Sequence, residues 1–235
     1  MLALMIIGAF LLALPLHEYA HAQVAAWLGD PTPRAEGRKT LGLSSHLDPL
    51  GLLLCIILAF FPVTAGPVGL GWGQPVKVDP WKLRGGRNAG PIIVALAGLV
   101  FSLVVGLLAG VLGNLVFQFL PQNPVVERIP QLILVFAVVN IALAFFNLLP
   151  IYPLDGYQIV YMLLPSRQAL QFAKSGRFGP IIILFLFFLL PFIAQFSGLG
   201  GFFLFHIPGL ILSGALSLIG LMTGSIDYIN LYLFL

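Results

Sequence analysis

The sequence predicts an all-α, polytopic membrane protein with about five transmembrane helices, one re-entrant segment and a short extended loop. Three observations carry that expectation. Hydrophobic residues fill 60% of the 235 positions. Charged residues fill 8%, against about 25% in an ordinary soluble domain. Mean hydropathy is +1.05, and the apolar residues gather in long charge-free stretches. A soluble fold could not cover its surface with so few polar groups, which excludes a soluble enzyme and a disordered chain. Eleven Lys and Arg against eight Asp and Glu leave a net charge of +3, too sparse for a phosphate-binding face, so no nucleic-acid partner is expected. The single cysteine, Cys55, excludes an intramolecular disulfide and any Cys-rich metal site.

About 20 apolar residues make one crossing. The first is 1–28, interrupted by a polar cluster from His17 to His21. It lacks the basic leading segment of a signal peptide and is expected to be retained. The apolar run 50–61 is short for a crossing and is followed by Pro62, Gly66, Pro67, Gly69, Gly71 and Gly73. That pattern suits a re-entrant piece. Residues 68–78 alternate Gly, Trp72, Pro75 and two valines around Lys77, which favours extended chain. Such an edge could pair with an unwound peptide by strand addition; a surface loop anchored at the interface by Trp72 is the equal alternative. Charge-free stretches at 88–126 and 129–154 supply two more spans. The stretch 178–226 is long enough for two helices, with Ser197-Gly198-Leu199-Gly200-Gly201 as the turn. Between them, 154–177 reads as an interfacial amphipathic helix restarted after Pro165.

Inside the first span, His17-Glu18-Tyr19-Ala20-His21 is an H-E-x-x-H. Residues four apart share a helix face, so the two imidazoles converge on one metal while Glu18 stands beside the vacant position. Zinc there supplies Lewis acidity and acidifies its water, and the glutamate takes the proton. Composition alone expects roughly 0.001 such matches in a chain of this length. Histidines and a glutamate merely hydrogen-bonded in a bundle would cost several kcal/mol at membrane depth without a job or a partner.

A catalytic zinc has three protein ligands and one open position. His46 lies in a polar loop and His206 in the last hydrophobic hairpin, leaving a carboxylate. Glu127 is flanked by prolines, Asp227 is near the C-terminus, and Asp30, Glu36 and Asp79 sit among basic residues as solvated pairs. Asp155 ends an apolar run in Asn147-Leu148-Leu149-Pro150-Ile151-Tyr152-Pro153-Leu154-Asp155-Gly156. Two prolines break the helix, Gly156 lets the backbone turn, and irregular backbone at that depth must line a cavity. On these residues alone, a capping aspartate at the interface is an equal reading.

H-E-x-x-H in one span, with N-x-x-P and L-D-G ending a later one, resembles the site-2 proteases, intramembrane zinc metalloproteases. The resemblance runs from Pro15 to about Gly179. Gly29-Asp30-Pro31-Thr32-Pro33, His46-Leu47-Asp48-Pro49-Leu50-Gly51 and Gly71-Trp72-Gly73-Gln74-Pro75-Val76 are similar to the short bacterial branch without PDZ domains. The resemblance implies one zinc per chain on His17, His21 and Asp155, with Glu18 as catalytic base. Asn147 is similar to the family's asparagine that holds substrate near the metal, where it would help stabilise an oxyanion. His46, paired with Asp48, is read as touching substrate at the cavity mouth or else as bonded within its own turn. Two motifs depart from the family's pattern, at Leu99, Ser102 and Tyr157. Its A-G-P-x-x-N is here Ala97-Gly98-Leu99-Val100-Phe101-Ser102, and Tyr157 replaces the small residue after L-D-G.

His17 lies about 25 Å along the first helix, near its exit, and Asp155 lies at the exit of 129–154. One zinc on both requires these exits to share a side, together with loops 29–48, 69–87 and 154–177. Those loops carry ten of the eleven basic residues, leaving Arg128 opposite, which makes that side the cytoplasm. Segment 50–68 must then dip in and return. The expectation is five crossings in a bacterial cell membrane, N-terminus outside and C-terminus inside. Residues 1–156 form the catalytic core and 157–235 the interfacial helix and C-terminal hairpin of one domain. The expected activity is cleavage of transmembrane segments of other proteins in the bilayer. The alternative is a catalytically silent adaptor or chaperone of the same fold, which the intact His17, Glu18, His21 and Asp155 argue against. A metal transporter is disfavoured because the spans hold essentially one ligand cluster.

Overall fold

The computed structural model describes residues 1–61, 66–121, 123, 125–197 and 203–233. Its α-helices are α1 (Leu2–Trp27), α2 (Thr32–Ala35), α3 (Pro49–Phe60), α4 (Gly86–Phe119), α5 (Arg128–Asn147) and α6 (Asp155–Leu163). There follow α7 (Ser166–Ala173), α8 (Gly179–Leu184), α9 (Leu190–Ser197), α10 (Ile207–Thr223) and α11 (Ile226–Leu233). Five helical stretches are long and apolar enough to cross a membrane: Leu2–Trp27, Gly86–Phe119, Arg128–Asn147, Ser166–Phe196 and Phe203–Thr223. The protein is thus the all-α polytopic fold its composition calls for. The helix restarts after Pro165 as the sequence suggests. Pro62 and most of the turn expected at 197–201 lie outside the described residues.

The centre of the bundle is α5, buried almost continuously from Leu134 to Asn147 and packed against α1 and α4. On α4 the exposed residues Leu96, Val100, Leu108 and Leu112 recur at multiples of four and form a stripe that suits lipid rather than water.

The segment after α1 enters and leaves at one end. Asp48 caps α3 by accepting from the amides of Leu50 and Gly51 at 2.9 and 3.0 Å. Leu47 bridges Gly73 in antiparallel fashion, and the Gln74 amide donates to the His46 carbonyl at 2.8 Å. The two legs touch at Gly51 and Gly71, where a Cβ on either residue would overlap the other leg's backbone. Deeper in, Gly69 is wedged between Ile6 of α1 and Val139 of α5. The segment is therefore re-entrant. Its return leg is extended but forms no regular strand among the described residues.

The three basic loops meet at that same end. The buried Asp30 accepts from the amides of Thr32 (2.9 Å) and Asp79 (2.7 Å) and so joins two of them. Sequence reasoning makes Asp30 a solvated ion pair; it is instead a backbone tie. Exposed pairs do occur at Lys77–Glu36 and Lys82–Asp79, 3.2 and 3.1 Å.

The C-terminal part departs from expectation. Gly224 takes a left-handed conformation (φ +64°) and reverses the chain between α10 and α11. Tyr228 then sits beside Phe117, ring centroids 5.9 Å apart, with its hydroxyl over Gly113. Gly113 lies fifteen residues past Gly98, about 22 Å along α4, at the end where Met1, Leu112 and Leu132 line one groove. So α11 and Met1 share an end of the bundle, whereas the hydropathy reading sets the two termini on opposite sides. The reason is tertiary: a side-chain-free notch at Gly113 admits the Tyr228 hydroxyl.

Candidate metal centre

Helical periodicity puts His17 and His21 on one buried face of α1, 1% and 4% exposed. The turn after α5 brings in Asp155 at the start of α6. Gly156 serves that turn by close approach, since a Cβ there would overlap the carbonyls of Leu148 and Leu149; its φ is not positive.

Nε2 of His17 lies 3.1 Å from Nε2 of His21, and Asp155 Oδ2 lies 3.0 and 3.2 Å from them. A tetrahedral zinc with bonds of about 2.05 Å separates its ligand atoms by about 3.3 Å. The triangle has that size, so the donor set fits the metal in number, chemistry and spacing. Among the described residues these three form the only His/Cys/Asp/Glu group so disposed.

The far nitrogens of both rings are held by α4. Nδ1 of His17 is 2.9 Å from Ser102 Oγ, and Nδ1 of His21 is 2.7 Å from the Val94 carbonyl. Between these contacts stands Gly98, where a Cβ would overlap His21 Nε2 and come within 2.8 Å of His17 Nε2. Sequence reasoning misses the roles of Ser102, Val94 and Gly98. The one available signal is the small-residue pair Ala97-Gly98, which marks close packing but not its partner.

Glu18, 6% exposed, follows His17 on α1. Its Oε1 lies so close to Gly73 that a Cβ there would stand 2.7 Å away, so the return leg must be bare at that point. Arg38 bonds the Ser45 carbonyl and Gln74 Oε1 (2.9 Å), tying the loop before α3 to the return leg near Glu18.

A cleft of about 410 Å³ opens beside His21 and Asp155. Residues 75–78 line it, together with Tyr152, Asp155, Tyr157 and Gln158. Tyr157, one of the departures from the family pattern, stacks on Phe172 of α7 at 4.6 Å. Neither Asn147 nor His46 lines this cleft. The Asn147 amide donates to the Leu143 carbonyl of its own helix at 2.9 Å. His46 is fully buried, and its Nε2 donates to the Thr40 carbonyl at 2.7 Å. Asp48 does not orient that imidazole, because its carboxylate caps α3. Burial holds the His46 pKa below the usual histidine range.

Residues 116–192 match the model of peptidase family M50. The chain is 32% identical over 174 residues to a Bacillus subtilis protein named "Putative zinc metalloprotease YwhC", an overlap of 73% of this chain and 74% of that one. It is 28% identical over 183 residues to Rip2 of Mycobacterium tuberculosis, which carries the same description, across 78% of this chain and 66% of that one. No solved structure matches.

Proposed function

The chain belongs to peptidase family M50, the site-2 protease family, and is an integral membrane metalloprotease; from that premise we propose that it cuts transmembrane segments of other membrane proteins at the cleft beside His17, His21 and Asp155. One zinc per chain would be held by Nε2 of both histidines and Oδ2 of Asp155. The observation that carries this is the ligand triangle of 3.0–3.2 Å. When bound, zinc supplies Lewis acidity to the scissile carbonyl and lowers the pKa of water at the open position.

The chain's own groups do the rest. Glu18 takes the proton of the attacking water on its carboxylate and passes it to the leaving amine. Helical peptide bonds are shielded by their own hydrogen bonds, so substrate must be unwound. The extended wall 75–78 offers main-chain groups along which such a segment can lie. Tyr152 and Tyr157 line the same cleft.

The metal end, which carries the basic loops, faces the cytoplasm of a bacterial cell membrane by the positive-inside rule. Met1 and α11 then face outside. The test is cleavage of a helical membrane peptide by the purified protein in detergent, beside a Glu18→Gln variant. Cleavage by the wild type alone supports a peptidase. Equal cleavage by both removes the assigned mechanism, and binding without cleavage by both points to an adaptor.

A further inference from the structure

The imidazole of His17 has its two nitrogens committed in opposite directions. Nε2 faces His21 and Asp155, while Nδ1 faces Ser102 Oγ at 2.9 Å across 85 positions of sequence. Both residues are buried, at 1% and 0% exposure. For Nε2 to offer its lone pair to a metal, Nδ1 must carry the proton, and that proton needs an acceptor. Two groups of α4 stand at the ring: the Ser102 hydroxyl, the one side chain in place to accept, and the Gly98 carbonyl, which has a second lone pair free of its own helix.

His21 is served differently. Its Nδ1 donates to a backbone carbonyl, that of Val94, which no substitution can remove. Ser102 and Val94 lie eight residues apart on α4, on either side of Gly98, so one rigid helix orients both rings. Of the α4 groups at the two rings, only Ser102 acts through a side chain. That side chain occupies one of the positions where this sequence departs from the family pattern.

We propose that Ser102 is a positioning residue that fixes His17 in its Nδ1–H tautomer and thereby sets the metal affinity of the site. This rests on the reading of His17 as a ligand. The hydroxyl touches neither substrate nor metal; it acts through the ring.

The test compares wild type, Ser102→Ala, Ser102→Thr and His17→Ala, each purified, stripped and titrated with zinc against a chelator. Loss of such an outer partner commonly costs roughly tenfold to hundredfold in metal affinity. Ser102→Ala should show that loss, and the visible absorption of its cobalt-loaded form should shift. Ser102→Thr keeps the oxygen and should match the wild type in both. The thermal midpoint of the metal-free protein should be the same in all three.

Wild-type affinity and cobalt spectrum in Ser102→Ala would overturn the proposal, as would an equal loss in Ser102→Thr or a drop in metal-free stability that accounts for the effect. Zinc retained by His17→Ala would instead overturn the ligand reading beneath it. The two failures are therefore distinguishable.

Discussion

Nε2 of His17 and Oδ2 of Asp155 lie 3.0 Å apart although 138 positions separate them in the chain. The contact joins the polar cluster of α1 to the broken backbone after α5. Two features that are each ambiguous alone become one cluster that could hold a metal, and their proposed roles can be separated by substitution.

Glu18 and Asp155 should fail in different ways. Glu18→Gln removes a proton acceptor but no ligand, so zinc content should stay near one per chain while the rate falls about 10²–10⁴-fold. Asp155→Asn offers a neutral amide, a weak zinc ligand, and should yield protein that is both inactive and metal-poor. Metal analysis beside a peptide assay checks both. A metal-poor Glu18→Gln protein would reverse the assignment.

Gly98→Ala should empty the site without unfolding the bundle. The added methyl overlaps His21 Nε2 and crowds His17 Nε2. Overpacking of this kind costs about 1–3 kcal/mol, here set against ligand geometry, and zinc affinity should drop roughly tenfold to hundredfold. Gly8→Ala, on a helix with open space around it, is the control and should bind zinc normally.

Side-specific labelling tests the arrangement of the ends. In a Cys55→Ala background, single cysteines at Lys39, Arg84 and Lys174 should react from the cytoplasmic side. A cysteine at the exposed Ile226 should react from the other side, with the start of α1. Labelling of Ile226 from the Lys39 side would contradict the packing of Tyr228 on Gly113.

The loop before α3 should be acid-sensitive through His46. Burial lowers its folded-state pKa, so as pH falls the unfolded chain takes up the proton first. Stability is then lost below about pH 6.5, down through the folded value. His46→Gln keeps a donor for the Thr40 carbonyl and removes the titration. Between about pH 7 and pH 5 the wild-type thermal midpoint should fall relative to the variant; parallel curves would show that His46 contributes no such term.

Local chemistry is what was legible in the sequence. The H-E-x-x-H spacing reads directly as two imidazoles on one helix face, and the Pro- and Gly-rich flank of 50–61 reads as a segment that turns back. Asp155 was within reach because prolines and an acid at an apolar run's end violate the ordinary rules of a span. Contacts chosen by packing were not legible. Asp48 could cap a helix or orient His46, and only the position of α3 decides for the cap. Asp30 looks like one more charge in a basic loop until two backbone amides converge on it. Nothing in the hydropathy of α10 tells that α11 will find a notch at Gly113.

The wedging of Gly69 between Ile6 and Val139 has a consequence for biosynthesis. The return leg is held by one helix near the start of the chain and another more than halfway along. Until the ribosome has delivered α5, the return leg lacks its contact with Val139, and Asp155 emerges later still. On the proposed mechanism, the three metal-holding side chains and the cleft wall would come together only in that late event.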